Sequence, residues 1–510
     1  MLVTGHPLPP DASISPAASS GRLPSWTVLV AVAAAIRGAA VVLIPVLPEE
    51  SYHWLYAKHL ALGYYDHPPL IAWFIALGTS MFGDGPVGIR VVPWLCSVGT
   101  SVAASRTARR LYGPEAASWT ALFLALQPAT FFASSFGFPD AGMLCCWALG
   151  LALVVEALES RKGVWWLGAG AALGAGMLSK YTAAFLGASL LLYLVLQRKD
   201  RFWLGTVWPY LGAIVALVVF SPVIFWNATH DWASFRFQSV GRLEEGRSPQ
   251  LTSALAYLLL QVGAVVPMTA PVAVAAVIDG VRSRTAVQQF LLCLSLPLLG
   301  FFFCVGIIRS THAFWPLPAW IALSILMADY LSRGGGRLRV FYRKSWGALA
   351  AVTIAAAVLA IVHFVTPVPG LPPVRSLRGW DRICARAATM RAGLPEGSFY
   401  LGVGRRYLCP SQLAFHLPAP TDVHAKNLLD EDGLQFTYWD SPEALRGRDA
   451  VVVAEAEWSA DLETLLPRYF DRVDVAGEPL SVGRLGFGRS VKEERYVFYV
   501  GHGYHPLRRP

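Results

Sequence analysis

Apolar runs of helix-spanning length follow one another from residue 26 to residue 366. They lie near 26–47, 87–105, 116–134, 138–157, 164–179, 181–197, 204–226, 252–278, 286–308, 313–332 and 346–366. A bilayer core asks for about 20 apolar residues per helix. The reading is therefore a polytopic α-helical membrane protein of about 11 spans, within roughly 10 to 13. Composition agrees: 55% of residues are hydrophobic and 15% charged, and the mean hydropathy is +0.47. That leaves too little charge for the surface of a soluble globule. The net charge of +9 does not mark a nucleic-acid partner, because the basic residues cluster in short segments between apolar runs, as cytoplasmic loops do.

The distribution of those basic residues predicts orientation. One alternate set of connections carries Arg106/Arg109/Arg110, Arg161/Lys162, Arg198/Lys199/Arg201, Arg282/Arg284 and Arg333/Arg337/Arg339/Arg343/Lys344. The other carries Lys58 and Arg90, then none at 134–139, then Lys180, Arg236/Arg242/Arg247 and Arg309, spread over longer sequence. The first set belongs in the cytoplasm. The N-terminus is then cytoplasmic and residues 48–86 face outward. Arg37, within the first run, either snorkels or faces the bundle interior.

Residues 1–24 are rich in Pro, Ser and Ala without periodicity and read as a disordered cytoplasmic tail. Residues 25–366 form the membrane module. Pro367, Pro369, Gly370, Pro372 and Pro373 read as a linker, and 367–510 as an extracytoplasmic α/β domain. Its short β-like runs (398–403, 450–454, 496–500) alternate with helical patterns at 380–392 and 458–469. Seven cysteines give no disulfide framework or zinc spacing. Outside the cytoplasm Cys384 and Cys409 are either bridged or two free thiols.

The outward connections hold nearly all the polar groups that could do chemistry. Glu49 and Glu50 follow the first span, then His53 among Tyr52, Trp54 and Tyr56, then Tyr64-Tyr65-Asp66-His67-Pro68-Pro69. Ionised groups beside hydrocarbon need a partner or a wet cavity; a plain aromatic interface belt is the competing reading. Asp140 after Pro139 is either a helix cap or a site acid. Lys180 is either an interfacial cation or a phosphate partner. His312 and Trp315 suit an aromatic belt better than a site, with Arg309 beside them, and Asn227-Ala228-Thr229 matches a glycosylation sequon but marks a turn.

The run EESYHWLYAKHLALGYYDHPPLIAW, with FPDAGML, LSKYTA, SPVIFWNATHDWASFRFQ and RSTHAFWPLPAW, closely resembles the membrane glycosyltransferases grouped with protein O-mannosyltransferases and lipid A aminoarabinose transferases. The resemblance covers about residues 26–335 and implies the GT-C fold. It also implies transfer of a hexose or pentose from a polyprenyl-phosphate carrier to a cell-envelope acceptor (lipid A, glycan, lipid or protein) at the outer face. That family carries Asp-Glu where this chain has Glu49-Glu50, with the first acid as catalytic base. Which glutamate serves here stays open. By the same resemblance Asp66, His67, Asp140, Lys180, Tyr181, Arg309 and His312 bind donor phosphate or sugar.

A glycosyl phosphodiester already has a competent leaving group. The enzyme needs a base for the acceptor proton and positive charge where the phosphate departs. Displacement would invert the anomeric centre. No cofactor is implied; Glu, Asp and His at such a site can hold a divalent ion, though their spacing does not single one out. The rival is a transporter or flippase of lipid-linked sugars, which calls for ionisable groups near mid-membrane and internal repeats.

Overall fold

Proline opens many of the helices. Pro48, Pro86, Pro114, Pro128 and Pro139 each occupy the first helical position, where the missing N–H costs nothing and φ is preset. In chain order the first eight helices are α1 (Trp26–Leu43), α2 (Pro48–Lys58), α3 (Leu70–Phe82), α4 (Pro86–Tyr112), α5 (Pro114–Leu126), α6 (Pro128–Ser135), α7 (Pro139–Ser160) and α8 (Val164–Ser179). They are followed by α9 (Ala184–Leu196) and α10 (Trp208–Thr229). The computed structural model describes residues 23–241, 251–265, 267–309, 311–366, 368, 371, 377–417, 422–485 and 492–507. Nearly all of the expected N-terminal tail, and the prolines and glycine of the expected linker, lie outside the described residues.

This is a multi-pass membrane protein. Among the described residues the apolar runs fall largely on helix, and six helices are long and apolar enough to cross a membrane by length and composition. The pair α5–α6, bent by 74°, makes a seventh if counted as one span, and five shorter apolar helices, α3 among them, accompany these. Pro128 sets the bend, and Gln127 at the corner bonds Ser324 and Thr130 through its amide (3.0 and 2.7 Å). Small residues set the closest helix contact. A Cβ at Gly170 on α8 would lie 1.9 Å from the carbonyl oxygen of Gly212 on α10, so the backbones touch. Arg37 resolves its two alternatives by facing inward, donating to the Leu124 carbonyl (3.0 Å).

The segment 48–86, expected as an outer loop, is largely helical, made of α2 and α3. Against it lies the C-terminal α/β region. Its sheet runs β2 (Val423–Ala425), β1 (Phe399–Val403), β3 (Ala450–Glu455), β6 (Lys492–Tyr504), β4 (Phe470–Val475), with β5 (Leu480–Leu485) also paired to β6. β2, β1 and β3 are parallel; β6 is antiparallel to β3, β4 and β5. Both faces of β1 and β3 are covered. Tyr400, Val451 and Val453 pack on Trp380 and Leu413, and Phe399, Leu401 and Val452 on Leu428 and Leu466. That explains their unbroken apolar sequence. Of the strands, β2, β4 and β5 were not expected; β2 has three residues and β4 reads FDRVDV, mostly exposed. All seven cysteines are free thiols, Cys384 and Cys409 buried among them.

Candidate active site

The two glutamates at the start of α2 occupy opposite environments. Glu50 is fully buried. Its Oε1 accepts from Arg90 Nε (2.7 Å) and Gly137 N (2.7 Å), and its Oε2 from Arg90 Nη2 (2.5 Å) and Leu47 N (2.9 Å). A carboxylate has about four lone-pair sites, and all four are used. Arg90, equally buried, spends its remaining donors on the carbonyls of Val41, Ile44 and Pro45, acceptors in the last turn of α1 and just beyond it. Glu50 therefore ties α1, α2, α4 and the approach to α7 together. It has no lone pair to spare.

Glu49 is half-buried and accepts no hydrogen bond from a described residue. Burial, then the nearby Asp140, raises its pKa to about 7; Lys180 opposes this, and Asp66 and Glu50 add to it. A carboxylate so placed is a proton acceptor suited to near-neutral pH.

One turn along α2, His53 is fully buried. Its Nδ1 lies 2.8 Å from the Gly137 carbonyl, which can only accept, so the proton is on Nδ1. Burial lowers the His53 pKa to about 4, keeping the ring neutral. Its Nε2 is then a bare lone pair without a partner among the described residues. Gly137 serves both sides of the site, N–H to Glu50 and C=O to His53. A Cβ there would stand 2.7 Å from Ile89.

The turn after α2 brings Asp66 and His67 back beneath it. Asp66 is buried, and its Oδ1 accepts from the hydroxyls of Tyr52 (3.2 Å) and Tyr56. Its backbone carbonyl accepts from Gln238 (2.6 Å). Asp66 thus holds the turn to the helix. His67 stands nearly perpendicular to His53, ring centroids 5.3 Å apart. One ligating atom from each of Glu49, His53 and His67 lies within 4.8 Å of the others, close enough to converge on one small ion.

Asp140 and Lys180 form a pair rather than a cap and a free cation. Lys180 Nζ donates to both Asp140 oxygens (2.8 and 2.9 Å), and Asp140 caps nothing. An ammonium has three donors, so one is left for a ligand. Tyr181 hydroxyl meets Ser234 (2.8 Å). Arg309 and His312 gather at Trp315, at 5.6 and 5.3 Å from its ring. Asn227 of the sequon is buried, its amide donating to Val223 and accepting from Phe235 N; the sequon, expected as a turn, is the last stretch of α10 itself.

Sequence reasoning missed three contributors. Arg90 counted as a loop charge, yet it is a buried counter-ion. Gly137 left only a glycine before Phe138-Pro139-Asp140 as its trace. The C-terminal region adds Tyr407, stacked on Tyr52 (4.1 Å), and Gln435, whose N–H donates to the Tyr52 hydroxyl (3.0 Å) and whose Oε1 accepts from Tyr65 N (2.7 Å).

Comparison with known proteins meets this geometry. Residues 66–226 match the family model described as dolichyl-phosphate-mannose-protein mannosyltransferase. The lipid A galacturonosyltransferase RgtD of Rhizobium johnstonii is 28% identical over 282 residues, 54% of this chain and 59% of that one. An undecaprenyl phosphate-alpha-4-amino-4-deoxy-L-arabinose arabinosyl transferase of Pseudomonas fluorescens is 28% identical over 330 residues, 61% and 58%. The chain thus spans somewhat under two thirds of these relatives. The crystal structure of ArnT from Cupriavidus metallidurans bound to undecaprenyl phosphate superposes with a TM-score of 0.67 at 18% identity, covering 93% of this chain and 97% of that one. The resemblance read from the motifs holds, and the chain has the GT-C fold.

Proposed function

We propose that this GT-C protein is a membrane glycosyltransferase that moves one sugar from a polyprenyl-phosphate carrier to a hydroxyl of a cell-envelope acceptor, with inversion. The relatives' names supply the substrate classes: undecaprenyl phosphate as carrier, lipid A as acceptor. The observation that carries the reading is the unequal glutamate pair. Glu49 is the base. It takes the proton as the acceptor oxygen bonds to the anomeric carbon and the carbon–phosphate oxygen bond breaks. Glu50, its lone pairs filled, holds the base in place. The spare donor of Lys180 and the His67 ring receive the departing phosphate, and Asp140 keeps Lys180 aimed. Asp66 positions His67 through Tyr52 and Tyr56. Tyr181, Arg309 and His312 border the donor's path.

On this reading residues 25–366 are the catalytic module and 367–510 an extracytoplasmic domain that closes over α2. Site and domain face away from the cytoplasm, where lipid-linked donor and envelope acceptor meet. The buried acids lie at the ends of the helices, Glu50, Asp66 and Asp140 at one and Asp200 and Asp329 at the other, and none mid-span, which disfavours a flippase. The test mixes purified protein, a lipid-linked sugar donor and lipid A. Free polyprenyl phosphate should appear together with glycosylated acceptor. Movement of intact donor across vesicles with no phosphate released would instead establish the flippase.

A further inference from the structure

We propose that the groove between α4, α7 and α8, at the end of the helices away from Glu49, binds one anionic phospholipid of the bilayer. Its phosphate rests on Arg106 and Arg109, and an acyl chain lies along α8. Residues at helical spacing build the walls: Val102 and Arg106 on α4, Leu149 and Leu153 on α7, Ala172 and Ala175 on α8. They enclose about 970 Å³, at the upper end of the roughly 300–1,000 Å³ usual for ligand sites. Helix packing explains only part of the small-residue content of α8. Gly170 and Gly174 touch α10, where a Cβ would meet the Gly212 or Ala216 carbonyl oxygen at 1.9 or 2.5 Å. Gly168 lines the groove instead, and a Cβ there would meet only the Leu153 side chain, at 3.3 Å. Small size at that position leaves space rather than closing a helix contact.

Charge sits at one end of this apolar space. Arg106, Arg109 and Arg110 all line it, yet the two neighbouring acids, Glu156 and Glu159, both pair with Arg110. Arg106 and Arg109 are exposed and pair with no described residue. Two guanidiniums one turn apart, with no acid between them, match a phosphodiester, which accepts charge-assisted bonds from both. A basic pocket between spans, at the end read as cytoplasmic, is where an anionic headgroup is drawn. A zwitterionic lipid brings its own ammonium and gains less. The site is separate from the acid cluster. Arg106 is 16 residues beyond Arg90 on the same helix, about 24 Å at 1.5 Å per residue, so a phosphate held there cannot be one that meets Lys180.

The test titrates purified full-length protein in detergent with phosphatidylglycerol and, separately, with phosphatidylethanolamine, followed by native mass spectrometry. The expected result is one phosphatidylglycerol per chain, held at least tenfold more tightly than phosphatidylethanolamine. The double variant Arg106→Gln/Arg109→Gln should lose that preference; both side chains are exposed, so the exchange leaves packing intact. Arg198→Gln/Lys199→Gln removes two exposed cations outside the groove and should keep it. Ala172→Leu, which narrows the apolar part, should weaken retention of phosphatidylglycerol at least tenfold. Equal retention of the two lipids by the wild-type protein overturns the site, as does a preference lost equally in both double variants. Displacement of phosphatidylglycerol by an equal concentration of undecaprenyl phosphate also overturns it, giving the groove to a polyprenyl chain. None of these outcomes touches the transferase reading, whose groups lie at the other end.

Discussion

The helical module carries charge in opposite ways at its two ends. Where α4 and α7 finish, Arg110 pairs with Glu156 and Glu159, and nearby Arg333 pairs with Asp279 and Asp329; the arginines are about 40% exposed. Where the same helices begin, Glu50–Arg90 is wholly buried and Asp140–Lys180 nearly so. Exposed pairs are screened by water and contribute little. Buried ones must repay a large desolvation cost with hydrogen bonds, and Glu50 does so with four. Asp329 and Asp200 are buried at the other end too, but their arginine partners reach water; among the described residues Glu50–Arg90 alone has both members fully buried, at the end where the proposed reading puts the charged donor.

Substitutions can break this contrast, and their effects should descend in order. Arg90→Ala leaves Glu50 buried without its counter-ion, a loss of about 3–5 kcal/mol; folded yield and melting temperature in detergent should collapse. Asp140→Asn frees Lys180 and removes an acid beside Glu49. Transfer should fall about tenfold, mainly through KM for the donor, on the scale of one charge-assisted hydrogen bond of about 1.5–3 kcal/mol. Gln435→Ala removes the side-chain acceptor that holds Tyr65 N and should cost about 1 kcal/mol, read as easier proteolytic release of the C-terminal region with the melting of the helical module unchanged. Arg110→Ala, at the exposed end, should change stability by less than about 1 kcal/mol and leave transfer untouched. An Arg110 effect as large as that of Arg90 would erase the contrast.

How much of this was legible follows from range. The bilayer imposes a length on every span, and that length is local, so the apolar runs gave the helices. Glu49, Asp66, His67, Asp140 and Lys180 stood out because acids and bases are rare beside such runs. Arg90 did not, because its meaning depends on Glu50, 40 residues earlier, and no periodicity records the pair. The hold of Gln435 on Tyr52 spans 383 residues and was invisible for the same reason. The choice between Glu49 and Glu50 needed atoms: adjacent in sequence, they differ only in which neighbours fill their lone pairs. The bend at Pro128 and the helical character of 48–86 show the converse, since apolar length finds helices but says nothing of how they turn or dock.

The central claim is that Glu49 works while Glu50 holds. The direct measurement is the rate of sugar transfer by purified Glu49→Gln from a defined lipid-linked donor, taken beside its melting temperature. The account predicts wild-type melting with kcat lower by about 10²–10⁴, the usual contribution of a general base. Transfer at the wild-type rate by a folded Glu49→Gln protein would contradict it.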